Sequence, residues 1–392
     1  MQGSDPKIRT IHGNTINKEQ TMNKPYRIIA FVMLVALVGG SLAACAPAQQ
    51  APKTLDKFVW VSPRGTLEVM DDWNLWSAID QGYCKELGID LEMQPGPQDS
   101  LAVTKLVAEK QADAGYPSPG VLTASIDTGV PVILAWEMFP RQVFDFALPK
   151  GSPIKSVKDL AGKSISLWAP GGNVVVDPIL VEAGVDPKSV TYVIGGNQWG
   201  QVVAQGKADA ALGWRGLAAQ WDAQGLPLDY LVGRDFSKHP SNGYAVRKED
   251  LNDPKKVDIL NRFFKCVAMG LEFGRVNPLA AAQITYNKFP ALKEQMTPQL
   301  AFNSMWQLGC GYFDAYNDGK GYGYAYLDNW KSYIDTVYKL GQIKTQLKTE
   351  DVVTNQFVAA ANKFDAARVK KDAENFKLSD EWKAVTVPTE CK

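Results

Sequence analysis

"LVAEKQADAGYPSPG" occupies residues 106–120, and "VVAQGKADAALGWRG" occupies residues 202–216. Val107, Ala108, Ala112, Asp113, Ala114 and Gly120 recur ninety-six positions later as Val203, Ala204, Ala208, Asp209, Ala210 and Gly216. Both stretches read as the end of a helix, then Ala-Asp, a short buried strand and a turn. The spacing holds upstream, where Glu86, Gly88 and Asp90 match Glu182, Gly184 and Asp186. Further upstream "VSPRG" (61–65) parallels "WAPGG" (168–172). Three matches in register mark an internal repeat. Each copy reads strand, helix, strand, helix, strand. Strands such as "KFVWVS" (57–62) and "KSISLW" (163–168) are short and apolar, as parallel strands covered on both faces are. The expected fold class is therefore α/β, with two βαβαβ lobes whose loops gather at the carboxyl ends of the strands.

The first copy carries about eleven extra residues in "RGTLEVMDDWN" (64–74), judged from the change in repeat spacing. An insertion at a strand's carboxyl end is placed to reach into a cleft between lobes. After the second copy, "GYAVRKEDL" (243–251) reads as a strand returning to the first lobe. A long helix follows, with Asp253 as its N-cap and Pro254 in its first turn. The expected organisation is an upstream extension and leader at 1–44, a tether at 45–56, lobe I at 57–145 and 246–392, and lobe II at 146–245. Two crossings between lobes make a hinge, expected as two strands.

Composition narrows the function classes. The chain has 392 residues, with 42 Lys plus Arg against 42 Asp plus Glu. A formal charge of zero argues against a broad nucleic-acid-binding face. His12 and His239 are the only histidines, so histidine-based metal sites and His-dependent catalysis have little to draw on. "AGKS" (161–164) lacks the earlier glycine of a phosphate loop and precedes a strand instead of following one. "GKGYGY" (319–324) has Tyr324 where a dinucleotide fingerprint needs its third glycine. No metal, cofactor or enzymatic activity is expected.

The amino-terminal region reads as a targeting signal. Lys24 and Arg27 precede an uncharged run from Ile28 to Gly40, too short to span a bilayer and suited to a secretory h-region. Leu42-Ala43-Ala44-Cys45 resembles the bacterial lipobox, which implies lipidation of Cys45. Met22 would give a more typical start for such a signal, leaving residues 1–21 as an extension. The mature chain would then sit outside the cytoplasmic membrane on a lipid anchor, in the periplasm or on the cell surface. Disulfides can form there. Cys84, Cys266, Cys310 and Cys391 allow three pairings. Cys266–Cys310 is favoured because both lie on predicted helices of one region, with free buried thiols as the alternative.

Several stretches together resemble a known group: the lipobox, "AIDQGYCKELGIDLEM", "ADAGYPSPG", "SVKDLAGKSISL", "ILVEAGVDPKSVTYV", "GKADAALGW" and "FVAAANKFD". They are similar to the solute-binding proteins of ABC importers, in the branch typified by binders of the thiamine pyrimidine precursor, sulfonates, taurine and nitrate. The resemblance implies the type II periplasmic-binding-protein fold, closure over a small molecule, and delivery to a permease with its ATPase. It implies a monomer and no nucleic-acid partner. The branch also holds pyrimidine-forming enzymes with a cysteine-rich iron motif and a reactive histidine, and this chain lacks that motif.

By position, the cleft loops are 63–73, 116–118, 136–141, 168–173, 196–199 and 213–215. They supply the candidate site: Arg64, Glu68, Asp71, Asp72, Trp73, Tyr116, Ser118, Trp136, Trp168, Asn173, Trp199, Trp214 and Arg215. Tryptophan walls suit a flat ring, each stack adding roughly 0.5–1.5 kcal/mol beyond area burial. Carboxylates accept hydrogen bonds from hydroxyls and ring N–H groups, and they repel anions. The loop "SPRGTLEVMDDWNLW" (62–76) is also similar to a subgroup associated with riboflavin uptake. Riboflavin is thus the expected ligand, the thiamine pyrimidine precursor the second choice, and a sulfonate or related anion the third. A sensory receptor remains the alternative of a different class.

Overall fold

The computed structural model describes residues 54–97 and 102–388. Cys45, the run before it, most of the tether and Cys391 lie outside them. Strands in chain order are β1 (Asp56–Val61), β2 (Ile89–Gln94), β3 (Ala114–Gly115), β4 (Val132–Glu137) and β5 (Phe144–Pro149). They continue with β6 (Ser164–Leu167), β7 (Thr191–Ile194), β8 (Ala210–Trp214), β9 (Leu228–Leu231) and β10 (Gly243–Arg247). Two sheets result, ordered β2-β1-β3-β10-β4 and β7-β6-β8-β5-β9. In the first, β1 runs parallel to β2 and β3, while β10 runs antiparallel to β3 and β4. The second repeats that plan, with β6 parallel to β7 and β8, and β5 antiparallel to β8 and β9.

The repeated Ala-Asp has a physical cause. Asp113 Oδ2 accepts from Val59 N at 2.9 Å, and Asp113 N donates to Val59 O at 2.8 Å. Asp209 does the same for Ser164, at 2.8 and 3.0 Å. Each aspartate thereby ties the start of its own strand to the first strand of its copy. The helix before it must turn sharply to deliver it. Gly206 takes φ 69° at that turn, and its counterpart Lys110 takes φ 63°, the one non-glycine with positive φ among the described residues. An L-residue there costs roughly 1–2 kcal/mol, so the repeated geometry overrides local preference in the first copy.

Helices cover both sheets. The first lobe carries α1 (Trp73–Asp80), α2 (Ala102–Ala108) and α3 (Pro119–Asp127). The second carries α4 (Asn173–Glu182), α5 (Trp199–Ala204) and α6 (Arg215–Ala223). Then come α7 (Pro254–Val276), α8 (Pro278–Lys288), α9 (Pro298–Tyr312) and α10 (Leu327–Lys339). Asp253 caps α7, its Oδ1 accepting from Lys255 N at 2.8 Å. Helix α7 is the centre of the first core. Phe263 stacks on Phe58 with ring centroids 4.0 Å apart, and Phe264 lies parallel to Trp136 at 5.3 Å. "GKGYGY" serves this core: a Cβ at Gly323 would lie 2.3 Å from Trp136, so that loop needs glycine to cover the indole.

Two expectations need correction. The links between sheets, 138–143 and 232–242, are not strands; the first is irregular, and the second holds a helical turn at Gly233–Phe236 before an irregular stretch. Pro140 and Pro240 interrupt them, and a proline cannot donate to a ladder. The links still hold each other, since Ser241 N donates to Phe139 O at 2.9 Å and Met138 N to Asn242 O at 3.1 Å. Cysteine pairing also differs. Cys266 on α7 is bonded to Cys84, not to Cys310. The apolar face of α7 packs on the first sheet and its neighbours, which brings Cys266 over the short helical turn at Tyr83–Glu86. Cys310 is disulfide-bonded as well.

Candidate functional site

The carboxyl ends of the two sheets face one another. A Cβ at Gly216, in the first turn of α6, would lie 3.7 Å from Asp71 Oδ1 and 3.3 Å from Ser304 O. Ser304 Oγ of α9 donates to Gly216 O at 3.0 Å. The loop after β1 therefore meets the loop after β8, and α9 leans on both. Trp214, half-buried at that meeting point, packs against the apolar clusters of both lobes.

Arg64 organises the first-lobe side. Its Nη2 donates to Asp72 Oδ2 at 2.6 Å, and its Nη1 lies 3.3 Å from Asp71 Oδ2. Burial works against the guanidinium charge, but Asp72 and Asp71 outweigh it and raise its pKa above the ordinary value. Burial raises the Asp71 carboxyl, with Arg64 pulling the other way. Three phenols close the floor. Tyr312 OH donates to Asp71 O at 2.8 Å, Asn74 Nδ2 donates to Tyr244 OH at 3.3 Å, and the rings of Tyr116 and Tyr244 meet edge to face at 5.0 Å. Burial pushes Tyr116 and Tyr312 well above the ordinary phenol range, so both stay neutral donors. Arg64 Nε, Asp72 Oδ1 and Asn74 Oδ1 are buried there without a protein hydrogen-bond partner. Such groups cost roughly 1–3 kcal/mol each unless something else satisfies them.

Arg215 organises the opposite side. It pairs with Asp145 at 3.3 Å and lies over the Tyr230 ring at 5.8 Å. Burial pushes the Asp145 carboxyl up to about 6, against the pull of Arg215. Asp145 lies on β5 of the second sheet, which begins two residues ahead of the expected lobe boundary, so both arginines are matched by carboxylates of their own lobe.

The other expected residues divide. Ser118 caps α3, accepting from Val121 N at 3.4 Å. Trp168 packs on the second-lobe core. Asn173 Nδ2 donates to Asp177 Oδ2 at 3.1 Å within α4. Trp199 donates Nε1 to Leu212 O at 2.8 Å and meets Trp214 and Trp221. Trp73 and Trp136 are corrections: both are 0% exposed. Trp73 fills the notch between α7 and α9, where a Cβ on Gly274 would strike it at 2.0 Å. Trp136 lies against Phe264. Both serve packing, so neither walls a cleft. Glu68 stands exposed on the inserted loop. Asn74, Asp145, Tyr244 and Tyr312 were missed, because they reach the site from helices, a link-proximal strand and the distant α9.

A groove of about 430 Å³ lies at the opposite, amino-terminal edge of the first sheet, lined by Lys110, Asp113, Arg247, Glu249 and neighbours. Its charges pair among themselves, Arg247 with Asp113 and Asp250 and Lys110 with Glu249, so it reads as a structural seam. Among the described residues no His/Cys/Asp/Glu group could hold a metal ion, and no helix is long and apolar enough to cross a membrane.

Two like sheets, crossed twice by the chain and facing each other by their carboxyl ends, define the periplasmic-binding-protein fold, as expected. The sequence profile described as NMT1/THI5 like matches residues 72–281, more than half of the chain, and the chain belongs to that family. A search of curated proteins found no match. Among solved structures, the periplasmic aliphatic sulphonate-binding protein SsuA from Escherichia coli is similar at 13% identity. That match covers 78% of this chain and 92% of that one, with a TM-score of 0.53. A Candida albicans protein described as having the generic periplasmic-binding-protein fold matches at 14%, covering 77% and 96%, with a TM-score of 0.51. A cysteine-to-serine variant of DszB in complex with biphenyl-2-sulfinic acid matches at 14%, covering 78% and 98%, with a TM-score of 0.54. At such identities the likeness is one of fold.

Proposed function

We propose that this chain is an extracytoplasmic solute-binding protein of an ABC import system, and not an enzyme. It captures a small molecule between its lobes and presents the closed form to a permease. Cys45 carries the lipid anchor, and the protein works as a monomer. The observation that carries this reading is the meeting of the Arg64–Asp71–Asp72 loop with Trp214, Arg215 and the first turn of α6. Loops from both sheets converge on one place, as a closing cleft requires. The sulphonate-binding function of the Escherichia coli neighbour supports the class.

The ligand is neutral and flat in this reading, with riboflavin favoured and the thiamine pyrimidine precursor second. Each cleft arginine is already matched by carboxylates of its own lobe, so an anion meets no net positive charge. Trp214 offers a ring face, and the unsatisfied Asp72 Oδ1 and Arg64 Nε suit a ring edge with paired donor and acceptor. The test is titration of the purified protein with riboflavin, followed by tryptophan and flavin fluorescence. Saturable one-to-one quenching is expected, weakened in Trp214→Ala. Tight binding of an alkanesulfonate with no response to riboflavin or the pyrimidine precursor would overturn the ligand assignment. Turnover of a bound compound would overturn the non-enzymatic reading.

A further inference from the structure

His239 lies on the return link between β9 and β10, and it is 1% exposed. Neither ring nitrogen has a protein hydrogen-bond partner. Its Nδ1 stands 3.3 Å from Glu182 Oε2, at the end of α4 in the second lobe. That carboxylate is engaged elsewhere, accepting from Ser237 Oγ and, at 2.9 Å, from Lys238 N. On the other side, the imidazole meets the ring of Tyr333 edge to face at 5.4 Å. Tyr333 belongs to α10, which packs with the first lobe and touches α4 of the second. His239 thus sits where the link, a helix of each lobe and their contact converge.

We propose that closure of the two lobes is linked to proton release from His239, so that mild acid opens the protein and loosens its solute. The first half stands on this geometry alone, and the second half rests on the solute-binding reading above. In this arrangement the imidazole is enclosed and neither ring nitrogen is hydrogen-bonded, a setting that disfavours its charged form even with Glu182 nearby. Separating α4 from α10 hydrates the ring and lets it take a proton.

The charged and titratable groups facing it are few. Glu182 comes from α4 and Tyr333 from α10, with Lys238 adjacent on the link. Burial keeps the Tyr333 phenol above its ordinary range and therefore neutral. Burial also lowers the His239 pKa from its ordinary 6.5, with Glu182 pulling in the opposite direction and losing. The sign follows from linkage. A base with a lower pKa in the closed form leaves closure unpenalised above about 6.5, the ordinary value. The penalty grows as pH falls below that value and levels off below the lowered one. Between those limits each pH unit reduces the closing constant by up to about tenfold.

The chain's two histidines make the test direct. In the full chain without ligand, histidine ring C–H resonances are followed by NMR from pH 8 to 5. The radius of gyration is measured by small-angle scattering over the same range. His239→Gln identifies the resonance. The expected result is a His239 midpoint below 6.5, a radius that grows as pH falls through it, and no growth in the variant. A radius independent of pH, or equal growth in the variant, would overturn the proposal. Should the variant fail to fold, the wild-type data decide: a His239 midpoint at or above 6.5 overturns it too. A riboflavin titration at each pH separates the two readings. Failure to bind at any pH strikes the ligand assignment and leaves the scattering result intact. Binding that weakens up to about tenfold per unit below pH 6.5 joins them.

Discussion

Ser118 and Trp214 occupy the same place in the two copies of one motif, each at the N-cap of the helix that follows. In the first lobe the serine side chain caps α3. In the second, Trp214 provides no side-chain cap for α6, and the first turn of α6 faces Asp71 across the cleft. A carboxylate is well placed near a helix amino terminus. One copy therefore completes itself, and the other is completed by its partner lobe. The strand-tying aspartates stay the same in both copies, while the residues at the carboxyl ends of the strands diverge. Shared framework and private rim are separable in this molecule, and substitutions can test that.

The largest contrast concerns cross-linking. Cys84–Cys266 closes a separation of 182 residues in the first lobe, whereas residues 144–231, which form the second sheet, contain no cysteine. Cys84→Ser should cost about 2–5 kcal/mol. Hydrogen exchange should show first-lobe amides losing protection before second-lobe amides; uniform loss would break the contrast.

Next come the tryptophans. Trp136→Ala should cost about 3–5 kcal/mol in denaturant titration. Trp214→Ala should cost far less and show instead as weakened ligand binding. Equal stability losses would mean that Trp214 is core as well.

The paired aspartates give a smaller, graded effect. Asp209→Ala should lose about 1–2 kcal/mol through the freed Ser164 N–H. Asp113→Ala should lose about 1 kcal/mol more, because Asp113 also accepts from the buried Arg247 at 3.0 Å. Urea midpoints of the two variants would show it, and the reverse order would remove Arg247 from the explanation.

The smallest effect is at the turn. Lys110→Gly should gain, and Gly206→Ala should lose, roughly 0.5–1 kcal/mol. Melting temperatures moving in opposite directions would confirm that the two turns are one device.

These pairs also show what was legible in the chain. Asp113 and Asp209 could be read because their role is local and repeated, and the α/β class followed. Trp73 and Trp136 misled because a position near a strand's end does not say which way an indole points. Packing on α7, on α9 and on the loop at Gly323 decided that, from residues more than a hundred positions away. Tyr312 and Tyr244 were missed for the same reason. So was the Cys84–Cys266 bond, which exists only once α7 lies on the first lobe. The irregular links did have a signal, in Pro140 and Pro240.

The order of strands carries a consequence for synthesis. β10 lies between β3 and β4, yet it is made after the whole second sheet. While the chain emerges from the ribosome, β3 and β4 have a vacant slot between them until residue 247 appears. The second sheet is built from one uninterrupted stretch, 144–231, and needs nothing that comes later. The later-made lobe can therefore mature first, and the earlier-made lobe must wait with an open seam, a state that favours a holding chaperone over early release.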